Sequence, residues 1–119
     1  MKQLKVVVIK TDGSFAEIVI NDTLKAMQAL VGGRIENVDL TSGAHMYVNE
    51  EGARLCLPVN RYANSLVSDH EKYEYRLGAG GILGDVFVLG DVDDTEGDST
   101  DVPGWVLNYM KNLQNALEN

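Results

Sequence analysis

The sequence predicts an α+β domain, with a mostly antiparallel sheet of about five or six strands and two principal helices. Three observations carry the prediction. Short β-branched runs, LKVVVI at 4–9 and VFVL at 86–89 among them, recur between turn signals. Leu24, Met27, Leu30 and Val31 recur at helical spacing, and Trp105, Tyr109, Leu113 and Leu117 follow one another four residues apart. No repeat, heptad series or linker divides the 119 residues, so 1–119 reads as a single globular domain.

Taken in order, LKVVVI is apolar on both alternating faces and reads as a strand buried on both sides. TDG at 11–13 supplies a turn in which Gly13 can take positive φ, and FAEIVI at 15–20 returns as the hairpin partner. Asn21 and Asp22 offer caps for a short amphipathic helix that Gly32-Gly33 closes. RIENVDL at 34–40 and AHMYVN at 44–49 flank the turn TSG, and GARLCL at 52–57, after NEEG, extends them into a meander. Beyond Pro58, Asn60 caps a short helical turn over 61–66, and 68–81 lacks periodicity and reads as a loop. ILGDVFVLG at 82–90 is a strand beside the first at the sheet centre, with Gly84 at a bulge. DVDDTEGDSTD at 91–101 is an acidic loop, after which a helix docks through Trp105, Tyr109, Leu113 and Leu117.

Charge is informative by position. The formal net is −8, and seven of the 18 acids (Asp85, Asp91, Asp93, Asp94, Glu96, Asp98 and Asp101) fall in one window without a base. That leaves 11 acids against ten bases elsewhere, so the acidity is local. None of the bases forms the clustered run that direct binding to a nucleic-acid backbone needs. The run Val6–Ile9 is too short for a signal-peptide core, no segment is long enough to span a bilayer, and a single cysteine fits a reducing compartment. The expectation is a cytoplasmic protein without membrane association.

Several motifs invite chemistry and fall short of it. LGAGGILGD at 77–85 has Leu83 where a dinucleotide loop needs its third glycine, and it runs into a strand instead of a helix. In the acidic segment Asp91 and Asp93 suit the first two positions of a calcium loop, but Glu96 stands where the tight turn requires glycine. Cys56 lies in an apolar run and reads as a small core residue. His45 and His70 make neither a metal spacing nor a triad, so no catalytic residue, metal or cofactor is expected. Two candidate sites remain. Asp91, Asp93, Asp94, Glu96 and Asp98 form an anionic patch able to face a basic partner. At the corner LPVNRYAN, Asn60, Arg61 and Asn64 offer directional donors to a polar ligand, or else Pro58 stiffens the corner, Asn60 caps a helix and Arg61 pairs with a nearby carboxylate.

The opening strand KVVVI, the unit VGGRIENVDL, VNEEG at 48–52, LPVNRYAN at 57–64 and ILGDVFVLG at 82–90 together resemble a family of small domains of unknown function from bacteriophages, plasmids and their host genomes. The resemblance covers about residues 3–90 and implies no activity or catalytic set. It implies a mobile-element setting. The functional expectation is a non-enzymatic interaction protein whose acidic surface inhibits a host or defence complex by occupying a basic, nucleic-acid-binding groove. The alternative is a small-ligand or nucleotide-binding module at the Asn60–Asn64 corner.

Overall fold

The computed structural model describes residues 2–71, 81–92 and 99–118. Five strands form one sheet: β1 (Gln3–Ile9), β2 (Phe15–Asn21), β3 (Ile35–Asp39), β4 (Ala44–Asn49) and β5 (Val86–Gly90). Their order is β2-β1-β5-β4-β3, and every neighbouring pair is antiparallel. The strand latest in sequence therefore lies at the centre. This explains why VFVLG is apolar without alternation: all five of its residues are buried, with helices over both faces of the sheet.

Alternation assigns each strand residue to a face. Val7 and Ile9, Ala44, Met46 and Val48, and Val86 and Val88 join one core cluster with helices α2 (Arg61–His70) and α3 (Gly104–Glu118). Leu4, Val6 and Val8, with Phe87 and Leu89, join the other beneath α1 (Leu24–Val31). Thr23 caps α1 by accepting from the Ala26 amide, and Gly32 ends it in the left-handed region. Among the described residues no helix is long and apolar enough to cross a membrane.

The fold is α+β, and its five strands lie within the expected number, with β5 beside β1 as read from sequence. Several elements depart from the reading: Thr23 caps α1 in place of Asn21 or Asp22, and β5 begins only at Val86, so Gly84 lies before the strand and not at a bulge within it. GARLCL is a succession of turns instead of a strand, because local bonds take its backbone groups: Leu55 N–H donates to Glu51 O, Cys56 to Ala53 O and Leu57 to Gly52 O. Cys56 is consequently exposed at φ 55°, not a core residue. The helical turn expected over 61–66 is a ten-residue helix, α2, whose last turn takes in residues 68–70 of the expected loop. Residues 72–80 of that loop lie outside the described residues. On α3 the buried side chains are Val106 and Met110, so the docking face is rotated from the expected stripe. Trp105, Tyr109 and Leu113 pack at its margin, and Leu117 is 63% exposed.

Candidate functional site

Two acids of the anionic window fasten the ends of β1. Asp85 accepts the Thr11 amide at 3.0 Å, and Asp101 accepts the Lys5 amide at 2.8 Å. Between them the chain narrows to a neck at the end of β5. Gly90 N–H donates to Thr100 O, the Thr100 hydroxyl donates to Asp91 O at 2.6 Å, and Val92 bridges Ser99. The close packing needs a glycine, since a Cβ at Gly90 would collide with Asp101 O and the Thr100 hydroxyl. Lys2 Nζ donates to Ser99 O at 2.7 Å from the same side. Of the five candidate partner-binding acids, Asp91 is at this neck, and Asp93, Asp94, Glu96 and Asp98 lie outside the described residues.

Asp91 is also one arm of a constellation that sequence reasoning missed. His45 on β4 sits between two carboxylates: Nδ1 is 2.7 Å from Asp39 Oδ1 and Nε2 is 2.6 Å from Asp91 Oδ1. Register produces it, because Asp39 pairs with His45 across β3 and β4, and His45 pairs with Leu89, two residues before Asp91. Asn37 donates its side-chain amide to Asp39 at 2.7 Å. The Asp91 side chain stays 63% exposed while tied to the sheet. No spacing of His45 with other ligand residues signalled this array; the cue was the strand pairing itself.

The other candidate site divides. Asn60 is wholly buried: its amide donates to Ile9 O at 3.0 Å and Gly84 O at 2.9 Å, and its Oδ1 accepts from Ala63 N–H at the start of α2. Asn64 is half-buried and accepts the Ile82 amide at 2.7 Å. Asn60 is the helix cap that the architectural alternative expected, and Asn64 braces the corner by a bond that alternative did not include. Arg61 alone of the three is exposed, and it borders a surface groove of about 410 Å³ lined also by Tyr62, Ser65, Leu113 and Leu117.

Beside that groove Tyr109 donates to Asp69 Oδ2 at 2.6 Å, so the 2.8 Å contact with Ser65 Oγ is donated by the serine. Burial first, and the bond to Asp69 second, push the Tyr109 phenol above its ordinary value of 10.0. Tyr47, stacked on Phe87 at 5.2 Å, is raised by burial and then by the Asp39 carboxylate. A raised phenol favours the protonated folded state, so its contribution is intact below 10.0 and is lost as pH climbs through the raised values. Ultraviolet titration should therefore find Tyr47 and Tyr109 ionising late, and Tyr47→Phe and Tyr109→Phe should each remove one late step.

Compared with known families, the chain matches at residues 1–115 the model of a domain of unknown function, DUF3846. The chain belongs to that family, and the match runs through the acidic segment into α3. Neither a curated protein nor a solved structure matches it.

Proposed function

We propose that this member of the family is a non-enzymatic interaction protein, working in a mobile-element setting, that offers an acidic surface to the basic, nucleic-acid-binding groove of a host or defence complex. The observation that carries the reading is the neck. The residues that bracket 93–98, a segment with four acids, are joined to each other and, through Asp91 and His45, to the sheet. That bracing fixes where the acids are attached to the sheet, and concentrated negative charge attracts a surface evolved to bind phosphates.

The experiment is capture of partners from a host lysate by the wild type and by a variant carrying Asp93→Asn, Asp94→Asn, Glu96→Gln and Asp98→Asn, with Asp91 kept to hold His45. The expected partner is released by added duplex DNA and by salt, because screening shortens the reach of charge to about 10 Å at 0.1 M. The neutralised variant should fold normally and capture none of it. Equal capture and equal salt dependence in the two proteins would sink the reading.

A second reading, a nucleotide-like ligand held by Arg61, is favoured by the groove that this side chain borders. As an exposed side chain, Arg61 should be dispensable for folding, so Arg61→Ala should change stability by no more than about 0.5 kcal/mol. Calorimetry checks that. A ligand released on denaturing the purified protein, and lost in Arg61→Ala, would move the functional site to this groove.

A further inference from the structure

The two edges of the sheet differ. β3 is five residues long, carries Glu36 and Asp39, and follows Arg34, so charge guards it against pairing with another strand. β2 is seven residues long and carries a single charge, Glu17; it contains neither proline nor lysine, and it pairs with β1 without a bulge. Among the described residues its outer edge has no partner strand. Apolar side chains border it on both faces. Ile18 and Ile20 are half-buried on the α1 side, and Val19 on the opposite face and Leu24 just beyond the strand are 56% and 59% exposed. A cavity of about 300 Å³, lined by Val8, Phe15, Ala16, Ile18 and Leu30 among others, opens along the same strand. Such an edge is a template for a further strand.

We propose that the occupant is a second copy of this chain, with the two β2 strands pairing antiparallel about Ile18 to make one continuous sheet. The sequence of β2 is complementary to itself in that register. A twofold axis at Ile18 pairs all seven residues: Phe15 with Asn21, Ala16 with Ile20, Glu17 with Val19, and Ile18 with its own copy. Centring on Glu17 instead would set the two glutamates directly against each other, and centring on Val19 would leave the Phe15 end unpaired. The Ile18 register also sets charge correctly. Lys5 neighbours Val19 on β1, so each Glu17 lies in a row that leads across Val19 of the second copy to its Lys5.

The register makes opposite predictions for two substitutions at one exposed position. Val19→Glu places a second glutamate opposite each Glu17, twice per dimer, and should raise the dissociation constant about tenfold or more. Val19→Lys places a lysine opposite each Glu17 and should leave the dimer as tight as wild type or tighter. Mass by sedimentation equilibrium at micromolar concentration and 0.15 M salt is the readout, with circular dichroism to check folding. Should Val19→Glu fail to fold, Glu17→Lys is expected to weaken the dimer by a different route, turning the row that ends at Lys5 of the second copy from attraction to repulsion. Where Val19→Glu does fold, adding it to Glu17→Lys should restore the dimer by swapping the charges. A wild-type mass of one chain throughout overturns the proposal, as does an equal response to glutamate and lysine at position 19.

Discussion

Replacing Asn60 with alanine should lower the unfolding free energy by about 3 kcal/mol or more, the largest loss expected from any single polar side chain here. The side chain is fully buried and joins three parts of the molecule. It caps α2 through Ala63 N–H, a contact typically worth about 1 kcal/mol. Its amide group satisfies Ile9 O at the end of β1 and Gly84 O before β5. Alanine would leave two buried carbonyls without those donors, each costing about 1–3 kcal/mol in an interior that water does not reach. Asn60→Asp preserves the cap acceptor but turns a carboxylate toward the same two carbonyls, so it should be no less damaging. Urea denaturation measures both; a loss below about 1 kcal/mol for the alanine variant would contradict the bracing role.

That one residue also shows what sequence could convey. LPVNRYAN announces a proline corner and a helix cap, and both are present. It does not announce that the cap is also the link between two strands, because Ile9 and Gly84 come to Asn60 only through the pairing of the whole sheet. The central position of β5 was legible because VFVL is apolar on both faces, a pattern that a strand with one wet face does not produce. GARLCL also read as a strand, yet its amides bond to carbonyls three to five residues back, and local turn chemistry prevailed. The end of α2 was hidden for a different reason. Ser68, Asp69 and His70 look like loop residues, but His70 packs its ring on Trp105 at 4.5 Å and Asp69 binds Tyr109.

The candidate site was legible as composition and illegible as geometry. Seven acids in one window are plain in the sequence. That Asp85 and Asp101 hold β1, while Asp91 meets the far side of the His45 ring from Asp39, comes from the folded arrangement and not from composition. Equal charges in one run therefore have unequal functions: two are architectural, and one ties the acidic segment to the sheet. Neutralising Asp85 or Asp101 would confuse folding with binding, and for this reason the partner test leaves both intact.

The second large effect concerns the face of α3. Met110→Ala should cost about 2–5 kcal/mol, whereas Leu117→Ala should change stability by no more than about 0.5 kcal/mol. Four-residue spacing made Trp105, Tyr109, Leu113 and Leu117 look like one stripe, but a step of four advances the helix by more than one turn, so such a row drifts around the axis. Over three steps the drift carries its far end into solvent, where Leu117 is exposed. The face that meets the sheet is centred instead on Val106 and Met110, both almost completely buried with Val102 in the cluster that holds Val7 and Val88. Removing the Met110 side chain leaves a cavity between helix and sheet that neighbouring strands are too constrained to fill. Trp105 falls between the two cases, half-buried with its ring N–H donated to Ser42 O at 2.8 Å. Guanidinium denaturation of the three alanine variants should rank the losses Met110, then Trp105, then Leu117. If Leu117→Ala proved as costly as Met110→Ala, the helix would have to dock by the other face.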